Sequence, residues 1–299
     1  MLGKSVLRLL ALLLAMAAFL AACGTQGEAG LESTAATTGS SAETSGSASG
    51  TEDKRTSAAA ASSESKTTTG DVDEREIKRV VIPEGYSFYQ IAATLEENGI
   101  CGARDFFDAA QNYTVQSFTV PNNPDVAYRY EGFLFPATYE LYTDSDPVEV
   151  LKKMLNAYYE YSGLPDYDSL ILASVIERET RSTEQMAMIS SVFNNRIKQG
   201  IKLGSDVTAE YVNNYIVQSG TWIKNPDRYR ALFNTAWNDD FVGVLPAGPI
   251  CSPGIRAINA AQNPAKSDYL FFFFGADHQN HYSKTYSEHL AQIEQYGLG

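Results

Sequence analysis

Cysteine is scarce in this chain, with three residues among 299. Cys23 directly follows an apolar run near the N-terminus, so only Cys101 and Cys251 remain in the rest of the sequence. Two cysteines so far apart can form one disulfide bond or none, and the sequence leaves both alternatives open. So few thiol ligands also argue against a zinc site. We predict that the protein has no metal site.

Positively charged residues are also few, with 23 Lys and Arg against 36 Asp and Glu and a formal net charge of −13. Removal of an N-terminal signal would take away Lys4 and Arg8 and leave the mature protein more acidic still. Binding to nucleic acid requires clustered basic side chains, so this composition argues against a nucleic-acid partner. A neutral polymer such as a glycan is compatible with it.

Large apolar side chains are almost absent from residues 24–70, where Ser, Thr, Ala, Gly and Glu predominate. A segment of this composition cannot bury enough surface to offset the entropy lost on ordering. The sequence therefore predicts a disordered linker, which we assign to residues 23–76. Such a linker would let a folded domain reach away from its point of attachment.

The N-terminus has the layout of a secretory signal that ends in a lipobox. Lys4 and Arg8 precede the apolar run Leu9–Ala22, and Leu-Ala-Ala-Cys-Gly occupies residues 20–24. The run is short for a membrane span, which favours a cleaved signal peptide (residues 1–22) over a retained anchor, although the anchor stays open. A lipid on Cys23 would then tether the exported protein to the outer face of the cytoplasmic membrane.

Residues 77–126 are predicted to form a small module. The run Arg79–Gly85 indicates a strand followed by a turn. A first helix is expected between an N-cap at Ser87 and a stop near Asn98, and a second helix covers Ala103–Gln111. This order of elements resembles a LysM-like wall-binding unit, and a generic small α+β subdomain is the alternative.

Residues 127–299 are predicted to form a larger, mixed, helix-rich domain, which makes the expected fold class α+β. The predicted helices are Val148–Tyr161, Ser169–Arg181, Thr183–Gln199, Ile255–Gln262 and Ser287–Tyr296, and the predicted strands are Tyr269–Phe274 and His281–Ser283. Ser182 and Gln185 have the spacing of a capping box at the start of the third of these helices.

Two glutamates, Glu177 and Glu179, lie near the end of the helix predicted over 169–181. The apolar residues with helical spacing are Leu172, Val175 and Ile176, and Glu179 takes the next place on this stripe. Glu177 lies about 200° away around the helix, so the two carboxyl groups cannot point into one site. A carboxyl group on an apolar face has a raised pKa and stays protonated as a general acid. Glu179 is therefore the candidate acid.

A structural role for Glu179 is the alternative, with Arg196 as its partner inside the protein. Arg196 faces inward from the next predicted helix, together with apolar neighbours. An inward arginine needs a carboxylate or backbone carbonyls to satisfy its donors. Arg196 is thus predicted either to stabilise the core or to contact a substrate.

Short sequence blocks follow one another in a distinctive order over about residues 79–294. They are Tyr130–Tyr139, Ile171–Thr180, Ser191–Ile197, Leu203–Tyr211, Gly243–Ile250, Ser252–Gly254, Tyr269–Phe272, His281–Ser283 and Glu288–His289. This series resembles the signature of the MltG (YceG-like) family of murein transglycosylases. Three places differ from the family pattern: Val207 replaces a proline, Gly204 replaces a polar residue, and Phe233–Trp237 replaces Tyr-Asn-Thr-Tyr.

The resemblance implies a lytic transglycosylase with Glu179, the second glutamate of the pair, as its catalytic acid. It also implies that Asp206, Thr208 and Asn234 bind substrate along the cleft. Asp206 has an alternative role as the cap of a helix over Thr208–Ile216. His281 is predicted either to contact substrate or to lie in a polar loop.

The implied reaction cleaves nascent peptidoglycan strands endolytically between N-acetylmuramic acid and N-acetylglucosamine, leaves 1,6-anhydro-muramic acid ends and needs no cofactor. The implied partners are these strands, the membrane and peptidoglycan synthases, with cleavage terminating strand elongation. Two other functions stay open. One is a hydrolase that uses Glu179 and Asp206 as paired carboxylates, and the other is a non-catalytic wall-binding scaffold.

Overall fold

The computed structural model describes residues 75–297, all of which belong to one compact unit of the chain. The predicted signal peptide, Cys23 and the predicted linker as far as residue 74 lie outside the described residues, so these expectations stay predictions. Between residues 75 and 297, no helix is long and apolar enough to cross a membrane.

The described residues form a helix-rich α+β fold with small sheets. The strands are β1 (Ile77–Val81), β2 (Thr138–Tyr142), β3 (Phe271–Phe274) and β4 (Asn280–Ser283). The helices are α1 (Phe88–Glu97), α2 (Ala103–Asn112), α3 (Pro147–Tyr161), α4 (Tyr167–Glu179), α5 (Thr183–Lys198), α6 (Val207–Tyr211), α7 (Arg230–Phe233), α8 (Ile255–Gln262) and α9 (Tyr286–Tyr296). Short π-helical and 3₁₀ segments at Val212–Ile216, Val217–Trp222 and Pro226–Tyr229 connect α6 to α7.

The longer helices confirm the predictions made from capping residues and apolar spacing. The bounds of α3, α4, α5, α8 and α9 lie within two residues of those predicted. Ser87 caps α1 in a capping box with Gln90, as its position indicated. The capping box expected at the start of α5 is wrong, because the Ser182 hydroxyl donates to the Glu184 carboxylate and makes no backbone cap.

The segment after Asp206 differs from the single helix predicted over 208–216. Helix α6 ends at Tyr211, and a π-helical turn continues the chain to Ile216. The Asp206 side chain makes no capping hydrogen bond, so the predicted cap is also wrong. Asp206 instead precedes a short helix with its carboxylate exposed.

Antiparallel pairing of β1 with β2 joins two distant parts of the chain. Val80 lies opposite Tyr139, and both side chains are buried on the inner face of this sheet. The expected strand, helix and helix order over 77–126 is present as β1, α1 and α2. Their sheet is completed by β2, which lies beyond the predicted boundary at residue 126.

Helix α4 lies at the centre of the fold and is buried from Leu170 to Glu177. It packs against α5, α6 and α8. Neighbouring elements cover both faces of this helix, so the interior contacts more of it than the apolar stripe of Leu172, Val175 and Ile176. Glu177, on the side opposite the stripe, is only 8% exposed.

Cys101 and Cys251 are both free thiols, so they do not form a disulfide with each other. Cys251 is buried and its thiol donates a hydrogen bond to the Ser174 carbonyl on α4, at 3.2 Å. Burial raises the pKa of the Cys101 thiol to about 12 and that of Cys251 well above its usual value. Both cysteines therefore stay protonated at neutral pH and act as small packing residues.

Candidate active site

Glu179 is the last residue of α4, where the helix emerges from the core. Its Oε1 accepts a hydrogen bond of 2.6 Å from the hydroxyl of Ser205. Ser205 is itself buried, in the loop that follows α5. A largely buried carboxyl group with one fixed hydroxyl donor is the arrangement expected of a positioned general acid.

The pKa of Glu179 is raised above its ordinary value, chiefly because burial disfavours the charged carboxylate. The negative charges of Asp206 and Glu210 raise it further, whereas the Ser205 hydrogen bond and the charge of Arg196 lower it. Despite this local acidity, residues 75–297 contain no group of three or more His, Cys, Asp and Glu side chains arranged to hold a metal ion. The net effect of burial and of the groups around Glu179 is a raised pKa, which favours the protonated form that a general acid requires.

Arg196 on α5 holds the Ser205 loop, residues 201–206. Its guanidinium donates to the carbonyls of Leu203, at 2.8 Å, Lys202, at 3.3 Å, and Leu270. Gly204 has a positive φ of 71°, and a Cβ at this position would collide with the guanidinium of Arg196. Of the roles predicted for Arg196, support of the core through carbonyls is the one observed.

Two buried threonines support the same loop from the other side. The Thr208 hydroxyl donates to the Ser205 carbonyl at 2.8 Å and accepts from the Thr235 backbone N–H at 3.1 Å. The Thr235 hydroxyl lies 3.0 Å from that of Thr208. Thr208 has no exposed surface, so the geometry does not support its predicted contact with substrate. It positions Ser205 instead.

Asp206 and Asn234 are accessible at the edge of this site. Asp206 is exposed and directly follows Ser205 in the chain. Asn234 precedes Thr235, and its Oδ1 accepts a hydrogen bond of 3.0 Å from the backbone N–H of Trp237. Their roles as substrate contacts stay predictions, and their exposure is compatible with them.

His281 lies on β4 and is occupied by neighbours from the C-terminal part of the chain. Its Nε2 is 3.0 Å from the Asp277 carboxylate. Its ring stacks on Phe273, with centroids 5.1 Å apart, and on Tyr296, at 4.3 Å. The hairpin of β3 and β4 thus accounts for this histidine, and its contact with substrate stays a prediction.

Glu177 connects α4 to the loop before α8. Its Oε2 accepts a hydrogen bond of 3.0 Å from the Gly254 backbone N–H. Burial raises the pKa of Glu177 to about 7, and the charge of Glu84 adds to this effect. Arg256 and Arg181 act in the opposite direction. These partners give Glu177 a structural role on the side of α4 away from Ser205.

Two polar residues of the resembling blocks were not singled out from the sequence, Ser205 and Glu131. The Glu131 carboxyl group is buried, accepting from the Phe88 backbone N–H and the Tyr211 hydroxyl, both at 2.9 Å. Burial raises the pKa of Glu131 to about 8. Position within a matching block was the one signal for either residue, because their partners are distant in the chain.

Fold and site together define a helix-rich α+β protein in which a largely buried glutamic acid at the end of a helix accepts a hydrogen bond from a fixed hydroxyl group. The chain belongs to the YceG-like family, whose model matches residues 49–295. A solved structure of a YceG-like protein from Listeria monocytogenes aligns with a TM-score of 0.59 and 28% identity, covering 72% of this chain and 75% of that chain.

Two curated relatives are named endolytic murein transglycosylase. The one from Streptococcus pneumoniae is 28% identical over an alignment that covers 74% of this chain and 46% of the relative. The one from Bacillus subtilis is also 28% identical, and the alignment covers 73% of this chain and 65% of the relative. This chain therefore spans between about half and two thirds of the length of the curated relatives that it matches.

Proposed function

We propose that this protein is an endolytic lytic transglycosylase that cleaves the glycan strands of peptidoglycan. The observation that carries the proposal is the Glu179 carboxyl group, whose pKa is raised by burial and whose orientation is set by Ser205. The names of the two curated relatives support the same activity. One positioned acid is enough for this reaction, because no water molecule has to be activated.

In the proposed reaction Glu179 begins protonated. It donates its proton to the oxygen that links N-acetylmuramic acid to N-acetylglucosamine, and the bond between that oxygen and C1 breaks as the muramic ring becomes oxocarbenium-like. The 6-hydroxyl of the same ring then forms a bond to C1 and returns its proton to the Glu179 carboxylate. The product ends in 1,6-anhydro-muramic acid, and the enzyme is restored.

The surroundings of Glu179 suit both halves of this cycle. Burial and the nearby charges of Asp206 and Glu210 favour the protonated acid that the first step needs. The Ser205 hydroxyl favours the carboxylate that exists between the two proton transfers. These opposing influences let one group give up a proton and take it back.

Asp206 and Asn234 are the substrate contacts that we assign to the edge of the site, where their side chains can reach sugar hydroxyl or acetamide groups. Thr208 takes a positioning role because it is buried. His281 remains a candidate contact at the β3 and β4 hairpin. The assignments of Asp206, Asn234 and His281 rest on the resemblance together with the accessibility of their side chains.

The proposed setting is outside the cytoplasm. Cys23 would carry a lipid that holds the protein on the outer face of the cytoplasmic membrane. The unit of β1, α1 and α2 would act as a LysM-like module that binds glycan. Cleavage next to peptidoglycan synthases would then terminate elongation of nascent strands.

A two-carboxylate hydrolase is the second candidate function, because the exposed Asp206 carboxylate is close enough to Glu179 to raise its pKa. In that reaction Asp206 would activate a water molecule or form a covalent bond to the sugar, and the product would have a reducing end. The chemical nature of the product end therefore separates the two candidates.

Mass spectrometry of peptidoglycan digested by the purified protein tests the proposed function. We expect muropeptides and glycan fragments with 1,6-anhydro-muramic acid ends, which are lighter by one water molecule than reducing ends. Reducing ends would favour the hydrolase. No new ends, with nascent strands also supplied as substrate, would favour a non-catalytic scaffold.

Replacement of Ser205 by alanine is expected to shift the pH dependence of cleavage. Cleavage slows as pH rises through the pKa of Glu179, because the acid must be protonated. The Ser205 hydrogen bond lowers this pKa, so its loss should move the alkaline limb of kcat/KM to higher pH. We also expect kcat to fall about tenfold because the carboxyl group loses its fixed orientation.

The matched control for Ser205→Ala is Ser162→Ala, which removes another buried serine hydroxyl that bonds to the Leu164 backbone. This variant should keep the wild-type pH profile. An alkaline limb that coincides in Ser205→Ala and wild-type protein would show that Ser205 does not set the protonation of Glu179.

A further inference from the structure

Trp237 is the most exposed of the large apolar side chains in the described part of the chain, with 72% of its surface accessible. The other tryptophan, Trp222, packs against Tyr89 and Phe107. A single exposed apolar residue is common on protein surfaces and needs no explanation by itself. The loop that carries Trp237 is, however, hydrogen-bonded to the Ser205 loop, and Ser205 donates to Glu179.

The Trp237 loop, residues 234–243, is attached at both ends to the Ser205 loop. At one end the Thr235 carbonyl accepts from the Gly204 N–H at 3.1 Å, and the Thr235 hydroxyl lies 3.3 Å from the Ser205 carbonyl. At the other end Lys202 forms a β-bridge with Val242 and an ion pair of 2.7 Å with Asp239. The two loops therefore form one connected rim beside Glu179.

Hydrogen bonds within the Trp237 loop fix the backbone of the turn that carries Trp237. The backbone N–H of Trp237 donates to Asn234 Oδ1 at 3.0 Å, and the Asn238 N–H donates to the Asn234 carbonyl at 3.3 Å. The Cα atom of Trp237 lies at most about 7.6 Å from that of Thr235, because consecutive Cα atoms are about 3.8 Å apart. Trp237 therefore lies in the same turn as Thr235, which supports Ser205, and its side chain is exposed.

We infer that Trp237 is a stacking surface for one neutral pyranose ring of the bound glycan, beside the bond that Glu179 cleaves. The inference rests on the proposed function. The C–H groups on one face of a pyranose ring form an apolar surface that packs on an indole, which supplies a large rigid area at small entropic cost.

The charges on this rim select the class of ligand. Asp206, Glu210, Asp239 and Asp240 are all exposed. This acidity disfavours phosphates and other anionic polymers, and it leaves an uncharged N-acetylated sugar as the polymer unit that fits the indole.

Glycan binding by the Glu179→Gln protein tests this inference without turnover. The probe is a soluble oligomer of N-acetylglucosamine, which carries no charge and so can neither bind the indole through a cation nor be repelled by the acidic rim. We expect tryptophan emission to change on titration, and the Kd measured by isothermal titration calorimetry to rise about tenfold when Trp237→Ala is added. Trp237→Tyr should retain the affinity within about threefold, because a second aromatic ring can take the same sugar face.

Kinetics of the active protein provide the second measurement. Trp237→Ala should raise the KM for strands about tenfold and leave kcat within about threefold, because the indole packs on a ring face and holds substrate and transition state equally well. The matched control is Tyr159→Ala, which removes another exposed aromatic ring, on α3. It should bind and cleave like the wild type.

The outcomes separate this inference from the proposed function. Equal Kd and KM in Trp237→Ala and its parent would overturn the stacking surface while anhydro products still supported the transglycosylase. An effect of Tyr159→Ala as large as that of Trp237→Ala would also overturn it. No binding by Glu179→Gln, with no anhydro products from the wild type, would overturn both.

Discussion

Glu179→Gln is expected to lower the rate of strand cleavage about 1000-fold, which is within the range contributed by a positioned general acid. The amide has nearly the volume of the carboxyl group, and its oxygen can still accept the Ser205 hydrogen bond. It cannot donate a proton to the glycosidic oxygen at any accessible pH. The formation of 1,6-anhydro ends with time, followed by mass spectrometry, measures the effect.

Glu177→Gln is the matched control, because it makes the same change two residues away on the same helix. The Gln oxygen can keep the hydrogen bond from the Gly254 N–H. This variant should cleave within about threefold of the wild type, because Glu177 lies on the side of α4 away from Ser205 and the change keeps its hydrogen bond. The opposite result, with Glu177→Gln inactive and Glu179→Gln active, would assign the acid to Glu177.

Glu131→Ala is expected to lower the free energy of unfolding by about 3 kcal/mol, because it leaves buried donors without partners and opens a cavity. The Phe88 N–H at the start of α1 and the Tyr211 hydroxyl on α6 both donate to this carboxyl group. Urea denaturation followed by circular dichroism measures the change. A loss below about 1 kcal/mol would mean that water or a neighbouring group replaces the carboxyl oxygens.

Glu131→Gln separates hydrogen bonding from ionisation at the same position. The amide can keep both contacts if the Tyr211 hydroxyl accepts instead of donating, so stability near neutral pH should stay close to that of the wild type. The folded-state pKa of Glu131 is about 8, above its ordinary value, so the folded protein holds the proton more tightly than the unfolded chain does.

The contribution of Glu131 to the free energy of unfolding is therefore fully present at acidic pH, below the pKa that Glu131 has in the unfolded chain. It is lost as pH rises through about 8. One such group changes the free energy of unfolding by up to about 1.4 kcal/mol per pH unit. In Glu131→Gln, the part of the pH dependence of the free energy of unfolding that comes from Glu131 should be absent between pH 5 and 8. This variant should keep a smaller slope of the same sign from Glu177, whose pKa is raised to about 7. An unchanged slope would exclude Glu131 as its source.

Local features of the sequence were sufficient for most helices and for the family. Helix α8 begins and ends where apolar spacing placed it, and Ser87 caps α1 because a serine followed by Gln90 completes a capping box. The YceG-like resemblance is confirmed by the family match over residues 49–295. These features depend on residues close together in the chain, which is why they can be predicted from it.

The choice of Glu179 over Glu177 shows where such reasoning weakens. The apolar stripe led to Glu179, but α4 is covered on both faces and both carboxyl groups have raised pKa values from burial. What distinguishes them is the partner, a Ser205 hydroxyl for Glu179 and the Gly254 N–H for Glu177. A periodic pattern describes one helix and carries no information about the elements that pack around it.

The sequence by itself determined the family, the helix-rich α+β class, the bounds of the longer helices and the candidate acid. Only the tertiary structure decided which groups surround that acid: Ser205 on Glu179, carbonyls on Arg196, and a buried rather than substrate-facing Thr208. It also paired β1 with β2 and placed Trp237 on the rim. Helix ends and caps follow from interactions within a few residues, whereas burial, pKa and hydrogen-bond partners depend on segments that meet only when the whole chain has folded.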